Sequence, residues 1–157
     1  MTGVQLRDVT DGDFAIFFLQ QQDDESAHMA AFGTRDLDAK AYATRWKNGL
    51  ADGTTVAKTI VVNDEVCGFV ATFLRDAKPQ VTYWIARSCW GRGIATAALT
   101  RLLTIVATRP IYASAARDNA ASLRVLEKCG FRIYRAEMAL AAARGVEVEE
   151  VFLELAE

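Results

Sequence analysis

The sequence of 157 residues has little cysteine, little proline and no long apolar run. Its three cysteines, Cys67, Cys89 and Cys129, are odd in number and lack CxxC spacing, which excludes a secreted disulfide scaffold. We assign all three to packing in a reducing compartment. No apolar run reaches the roughly 18 residues of a membrane span, and residues 1–10 lack a signal-peptide pattern. We therefore expect a cytoplasmic protein that does not engage a membrane.

The sequence also lacks a strong charge bias, internal repeats and linker-like segments. Hydrophobic residues make up 52% of it, charged residues 24%, and the formal net charge is −2, which argues against a general binder of nucleic acid or anionic membrane. A chain of this length can bury a stable core without a metal ion or crosslinks. We predict a single domain over residues 1–157 and no metal site.

One segment, residues 77–117, contains no acidic residue although basic residues recur along it. These residues are Lys78, Arg87, Arg92, Arg101, Arg109 and Arg117. At its centre, residues 90–95 read Trp-Gly-Arg-Gly-Ile-Ala. A glycine-rich turn that opens a helix presents free backbone N–H groups and the positive end of the helix dipole. This segment therefore predicts a cradle for a phosphate group.

Residue patterns in the first half predict three strands and three helical pieces before a further strand. The patterns indicate a strand at residues 4–7, a helix capped by Asp11, a short helical piece up to Phe32 and a helix capped by Asp36. Residues 56–62 and 66–74 are rich in branched and aromatic residues and are separated by a turn, which predicts an antiparallel hairpin. A further strand follows at residues 80–86.

The second half reads as alternating strands and helices. Apolar periodicity predicts a helix over residues 91–108, which Pro110 ends, and then a strand over 111–116. Asp118 or Asn119 caps the next helix, which a left-handed Gly130 terminates. A final pair of strands begins at Phe131, with a bulge at the doubled glutamates 149 and 150. Residues 91–116 would supply a parallel crossover in an otherwise antiparallel sheet.

Two other phosphate-binding motifs compete with this interpretation. Gly91 and Gly93 match the front of a dinucleotide fingerprint, and Asp118 imitates its ribose-binding acid, but Thr96 occupies the third glycine position. A Walker A loop would need lysine and a hydroxyl residue after the second glycine, where this chain has Ile94 and Ala95. The dinucleotide reading is retained as a minor alternative, and the Walker A reading is excluded.

Taken together, residues 90–95 and 119–131 resemble the two cofactor-binding segments of the GNAT superfamily of N-acetyltransferases. The first segment has the small residues of the family's acetyl-CoA motif, with Trp90 in place of glutamine or arginine. The second runs from Asn119 to the Gly-Phe pair at 130–131. The resemblance implies an α/β (α+β) fold with a mixed, mostly antiparallel sheet of about six to seven strands, helices on both faces and one parallel crossover. Tyr83–Ile85, Asn119 and Ser122 are similar to the branch of ribosomal-protein alanine acetyltransferases.

The resemblance implies acetyl-CoA as the acetyl donor and assigns a role to each motif. Backbone N–H groups of the phosphate loop would bind the pyrophosphate, and a strand edge would bind the pantetheine amides. The implied cofactor-binding residues are Tyr83, Trp84, Ile85, Gly91, Arg92, Gly93, Ile94, Ala95, Thr96 and Asn119. Arg87 is a further candidate for the ADP phosphates.

Ser122 and Asn119 are the implied catalytic residues. Ser122 would donate its hydroxyl to the departing CoA thiolate, whereas its alternative role is a small packing residue. Asn119 would contact the pantetheine arm, cap its helix, or do both. The position at which many relatives carry a tyrosine acid is Leu126 here. Ser114 stands where some relatives have a glutamate base.

The absence of a strong base favours an acceptor amine of low pKa. At pH 7, deprotonating a lysine-type amine costs roughly 4.6 kcal/mol and an α-amine only about 1.1 kcal/mol. Acidic residues at 23–25 and 147–150 could steer a cation, and His28 could act as a base through water, but solvated surface positions are the simpler reading of both.

We therefore predict direct acetyl transfer to a small-molecule or peptide amine, by an enzyme for which a homodimer is the default assembly. Cys89 has no histidine partner in the neighbouring sequence, which disfavours a covalent route. Two alternatives remain open at this point: a non-catalytic acyl-CoA binder and a dinucleotide-binding domain.

Overall fold

The computed structural model describes residues 3–157; Met1 and Thr2 of the predicted domain lie outside the described residues. Seven strands lie within that range: β1 (Val4–Asp8), β2 (Val56–Val62), β3 (Glu65–Arg75), β4 (Lys78–Ile85), β5 (Ile111–Ala116), β6 (Arg132–Ala141) and β7 (Val146–Leu155). The α-helices of the same range are α1 (Asp11–Gln21), α2 (Asp24–Ala30), α3 (Ala39–Ala51), α4 (Ile94–Ile105) and α5 (Ala120–Lys128).

The seven strands form one sheet in the order β1-β2-β3-β4-β5-β7-β6. Neighbouring strands are antiparallel except for β4 and β5, which are parallel and joined through α4. The predicted mixed sheet with one parallel crossover is therefore confirmed. A dinucleotide-binding domain needs a doubly wound parallel sheet, so this sheet order removes that alternative.

Two tight turns connect β2, β3 and β4 into a meander. Asn63 and Asp64 have φ angles of 50° and 63°, and Asp76 and Ala77 have φ angles of 52° and 63°. Paired positive φ angles define the two-residue turns whose twist matches that of antiparallel strands, and Asn and Asp tolerate this conformation best. The predicted hairpin thus forms, and the sequence between its strands explains why.

Helices cover both faces of the sheet, as predicted. On one face, Ile94, Leu99 and Leu102 of α4 and Leu126 of α5 are fully buried in the main core against the strands. On the other face, Phe17 of α1 packs with partly buried aromatic residues of α3 against β3. The sheet is therefore sandwiched between two helical layers.

Three predicted helix starts differ from the observed ones. Thr10, and not Asp11, is the N-cap of α1, because the Asp13 carboxylate accepts the Thr10 backbone N–H at 2.9 Å. Asp38, and not Asp36, caps α3 by accepting the Ala41 N–H at 2.8 Å. Helix α4 begins at Ile94, since the preceding glycines adopt left-handed conformations that an α-helix cannot include.

The predicted bulge at glutamates 149 and 150 is wrong. The register of β7 with β6 is continuous there, and the shift lies in β6 between Ile133 and Arg135. A second shift in β3 makes Cys67 an extra residue opposite the pair Ile60 and Val61. The doubled glutamates instead take opposite environments, because Glu150 is buried while Glu149 is half-exposed.

Residues 3–157 include no helix that is both long enough and apolar enough to cross a membrane.

Candidate active site

A groove opens where the two parallel strands separate. The register of β4 and β5 is set at Gln80 and Tyr112, and beyond that pair the described strands diverge. Residues 81–85 of β4 and 113–116 of β5 line the resulting groove. Because β4 pairs with β3 along its other side, one edge of residues 83–85 faces the groove. This is the edge predicted to meet the pantetheine amides.

The predicted phosphate loop lies at one end of this groove. After a short 3-10 turn at Arg87–Cys89, Gly91 and Gly93 adopt φ angles of 75° and 73°, and Gly93 is the N-cap of α4 without a side-chain cap bond. Left-handed conformations of this kind favour glycine over every residue that carries a Cβ. The geometry therefore explains both glycines.

The loop has the properties that a pyrophosphate site requires. A Cβ built at Gly91 or Gly93 would meet no atom within 4 Å, so the space above the loop is open. The first-turn amides of α4, from Ile94 to Thr96, have no acceptor within the helix. Free N–H groups at a helix N-terminus bind phosphate readily. The residues present thus fit the pyrophosphate of coenzyme A.

The two candidate arginines differ in their surroundings. Arg87 is held by α2, because its guanidinium lies 3.4 Å from the Asp23 carboxylate and 2.5 Å from that of Glu25. Arg92 is exposed and takes part in no ion pair within residues 3–157. Arg92 is consequently the arginine that is available to a phosphate.

Trp90, which stands where the GNAT motif has glutamine or arginine, closes the end of β4. Its indole N–H donates to the Ile85 carbonyl at 2.9 Å, and its side chain is 39% exposed. Trp90 therefore joins the loop to the strand edge beside it.

The hydroxyl of Tyr83 lies in the site, although the sequence predicted a role only for the backbone of this residue. The Tyr83 hydroxyl lies 2.7 Å from the Ser122 hydroxyl, across the groove from β4 to α5. Burial raises the pKa of Tyr83 to about 12, so the phenol keeps its proton at neutral pH. Strand alternation directs Tyr83 and Trp84 to opposite faces, and this signal could have placed the hydroxyl on the α5 side.

Asn119 caps α5 and also ties it to α2. Its side-chain oxygen accepts the Ser122 backbone N–H at 3.2 Å, and its amide nitrogen donates to the Met29 carbonyl at 3.2 Å. Of the two predicted caps, Asn119 is thus the observed one. Asn119 lines the groove, and its side-chain oxygen keeps a second lone pair with which it can meet a ligand there.

The remaining candidates lie outside the chemistry or in the core. Leu126 is 1% exposed and packs in the main core, so it offers no acid. His28 is exposed and lies apart from the groove lining found in the described chain. Trp46 packs against Phe17 and Phe69 of the second core cluster, with ring centroids 5.3 Å and 4.9 Å apart, and it also lines the groove.

Carboxylates around the groove are neutralised by arginines. Glu25 is the one acidic residue among the described groove-lining residues, and it pairs with Arg87. On β7, Glu149 lies 2.6 Å from Arg117 and Glu150 lies 3.1 Å from Arg75. Ion pairs thus engage Asp23, Asp24, Glu25, Glu149 and Glu150 of the acidic residues predicted to attract a cation. Glu147 is exposed and takes part in none within residues 3–157.

A helix N-terminus with free N–H groups beside the free edge of a splayed strand fits an acyltransferase that uses a coenzyme A thioester. The comparison with protein families agrees: the acetyltransferase (GNAT) domain model matches residues 4–132. The chain belongs to the GNAT family of N-acetyltransferases, enzymes that take their acetyl group from acetyl-CoA, and the predicted family is confirmed.

Solved structures share this fold at low sequence identity. A probable acetyltransferase is 22% identical, with 100% of this chain and 94% of that chain covered and a TM-score of 0.81. Spermidine N-acetyltransferase from Vibrio cholerae, solved with CoA and spermine, is 16% identical, with 99% and 96% covered and a TM-score of 0.88. Ribosomal-protein-alanine N-acetyltransferase from Brucella melitensis is 16% identical, with 98% and 99% covered and a TM-score of 0.84. No curated protein matches the sequence significantly.

Proposed function

We propose that this enzyme transfers the acetyl group of acetyl-CoA by direct attack of a primary amine of low pKa, such as the α-amine of a protein or peptide N-terminus or of a small molecule. The observation that carries the proposal is the absence of an unpaired carboxylate among the described groove-lining residues. An acceptor that is partly neutral at pH 7 needs no strong base. Deprotonating a lysine-type amine at pH 7 would cost about 3.5 kcal/mol more.

Two acceptor classes named for structural neighbours make different demands. Spermidine, the acceptor named for one neighbour, is a polycation and calls for unpaired carboxylates in the groove. The alanine of a ribosomal protein, the acceptor named for another, presents a single amine. The paired state of Glu25, Glu149 and Glu150 supports the second class for this chain.

The donor would be held by backbone more than by side chains. The edge of Tyr83–Ile85 would bind the pantetheine amides, the loop from Gly91 to Thr96 the pyrophosphate, and the Asn119 side-chain oxygen the arm between them. Arg92 adds the positive charge that phosphates favour. The thioester supplies an activated acetyl group, and the protein residues orient it.

Ser122 and Tyr83 would serve the leaving group. Ser122 donates its hydroxyl proton toward the CoA thiolate, and the Tyr83 phenol, 2.7 Å away, donates to the Ser122 oxygen in turn. A serine hydroxyl alone is a weak acid, whereas a phenol behind it both orients the hydroxyl and replaces its proton. This pair would take the place of the tyrosine acid that position 126 lacks.

Direct attack is also supported by the surroundings of Cys89. The Cys89 sulfur lies 2.9 Å from the Cys67 sulfur and 3.7 Å from the Glu65 carboxylate. Neither group is the histidine that activates a cysteine nucleophile.

A thiol-release assay with acetyl-CoA tests the proposal. Amines are supplied as lysine-free peptides with free N-termini, N-blocked lysine peptides, polyamines and aminoglycosides. Release of CoA with the N-terminal peptides or with another amine of low pKa supports the proposal. Preference for lysine side chains or polyamines contradicts it, and acetyl-CoA binding without thiol release on any amine would indicate a non-catalytic binder. Cytoplasmic location and a homodimer remain predictions.

A further inference from the structure

Two buried cysteine thiols meet directly beneath the phosphate loop. The Cys67 and Cys89 sulfur atoms lie 2.9 Å apart, and the two residues are 0% and 1% exposed. Cys67 is the extra residue of the β3 bulge, and Cys89 ends the 3-10 turn that leads into the loop. Both cysteines are free.

The backbone around the two thiols is fixed by one shared neighbour. The Ala86 N–H donates to the Cys67 carbonyl at 2.8 Å, and the Cys89 N–H donates to the Ala86 carbonyl at 2.8 Å. Bulge and turn are therefore held together by main-chain bonds, independently of the side chains. Sulfur atoms in contact on a fixed backbone need to approach by only about 0.9 Å to reach the bonded separation of roughly 2.05 Å.

The two thiols differ in their position relative to the groove. Cys89 belongs to the lining of the groove although it is only 1% exposed, and the Glu65 carboxylate lies 3.7 Å from its sulfur as a proton acceptor. Cys67 is enclosed, and burial raises its pKa to about 12. Cys89 is consequently the thiol that an oxidant meets first, and Cys67 is the thiol that resolves the product.

We propose that Cys67 and Cys89 form a reversible intramolecular disulfide when the protein meets a peroxide. Hydrogen peroxide oxidises the Cys89 thiol to a sulfenic acid and releases one water. The Cys67 sulfur then attacks the Cys89 sulfur, the S–S bond forms, and the sulfenic oxygen leaves as a second water. Two thiols and one peroxide thus give one disulfide and two waters, and an added dithiol reverses the step.

The position of the crosslink gives it a consequence for the cofactor loop. The S–S bond would tie the bulge of β3 to the turn that precedes Gly91 and Gly93. If the loop holds acetyl-CoA as proposed above, the bound donor covers the approach to Cys89 and slows the oxidation. Formation of the disulfide in the free protein does not depend on that role.

Peptide mapping after peroxide treatment tests the inference, with Cys129 as the control in the same chain. The fully reduced, folded protein is exposed to hydrogen peroxide, alkylated and digested with trypsin. We expect a linked pair of the peptides 59–75 and 88–92, lighter by two hydrogens than the sum of the two and released by dithiothreitol. Cys129, which has no thiol partner among the described residues, should appear in no linked peptide at the same peroxide dose.

Two variants separate the steps. Cys67→Ser should leave a sulfenic acid at Cys89 that dimedone traps, and Cys89→Ser should leave Cys67 reduced. The proposal is overturned if the folded protein yields no linked peptide at a peroxide dose that oxidises Cys129, or if the linked species contains Cys129. Because the readout is a covalent bond and not turnover, failure of this test would leave the proposed acetyltransferase function untouched.

Discussion

The Tyr83 hydroxyl on β4 lies 2.7 Å from the Ser122 hydroxyl on α5. These residues come from two segments that share no motif, and the groove between the diverging strands brings them together. The contact gives the leaving-group side of the site two hydroxyls in series, one of them with a pKa raised to about 12 by burial.

Tyr83→Phe should lower kcat about tenfold and leave the KM for acetyl-CoA within about twofold, because it removes one hydrogen bond to Ser122 worth roughly 1.4 kcal/mol. Steady-state kinetics measure both values. Tyr112→Phe is the matched control, since Tyr112 packs against Tyr134 at a centroid distance of 5.9 Å, outside the groove lining. Equal losses in the two variants would show that the hydroxyl of Tyr83 has no special role.

Ser122→Ala should lower kcat by about a hundredfold, since it removes the proposed donor to the leaving thiolate. In the double variant, Tyr83→Phe should add little further loss, because both residues act through one proton path. If the losses in kcat of the two single variants multiply fully in the double variant, the two hydroxyls act independently and the shared proton path is contradicted.

Gly93→Ala should raise the KM for acetyl-CoA about tenfold, because a Cβ strains the left-handed conformation by roughly 1–2 kcal/mol and intrudes on the approach to the first-turn amides of α4. Gly145→Ala is a matched control: Gly145 has a φ of 71°, against 73° at Gly93, and equally open surroundings, but it lies in the turn before β7. Both variants should lose similar thermal stability. An unchanged KM in Gly93→Ala would argue against the loop as the donor site.

Asp13→Asn should reduce the free energy of unfolding by about 2 kcal/mol at pH 7. Burial alone would raise the pKa of Asp13, but hydrogen bonds from Arg7, the Thr10 backbone and Thr59 outweigh burial and hold the pKa at about 2. Because the folded pKa lies below the unfolded value of about 3.9, the stabilisation is complete above about pH 5 and is lost progressively as the pH falls toward 2.

Urea unfolding between pH 7 and pH 3 measures this effect, with Asp8→Asn as the control. Asp8 pairs with Lys58, but its side chain is 87% exposed, so its replacement should change the midpoint little. A constant difference between Asp13→Asn and the unsubstituted protein over this pH range would show that the charge of Asp13 contributes nothing.

Much of the fold was predictable because its signals are local. The turn residues at 63–64 and the glycines at 91 and 93 each determine backbone geometry within a few residues, and the strands and helices around them form as predicted. Helix α4 ends at Ile105, before the predicted end at residue 108. Helix starts were less certain, because Thr10, Asp11, Asp36 and Asp38 are all acceptable caps. Which one is used depends on packing and on partners such as Asp13.

The parts that escaped prediction depend on contacts between distant segments. Tyr83 and Ser122, and likewise Cys67 and Cys89, come together only through the sheet register and the bulge in β3. Sequence spacing carries no information on such pairs. The ion pairs of Glu25, Glu149 and Glu150 are of the same kind, and they decide the charge of the groove.

The most direct test of acetyl transfer to an amine of low pKa uses one peptide that offers both kinds of amine. A peptide with a free N-terminus and one internal lysine is incubated with enzyme and acetyl-CoA at pH 7, and fragmentation mass spectrometry locates the acetyl group. We predict that acetylation at the α-amine exceeds acetylation at the lysine side chain by about a hundredfold or more, because the α-amine costs less free energy to deprotonate. Acetylation mainly at the lysine side chain would contradict the proposed function.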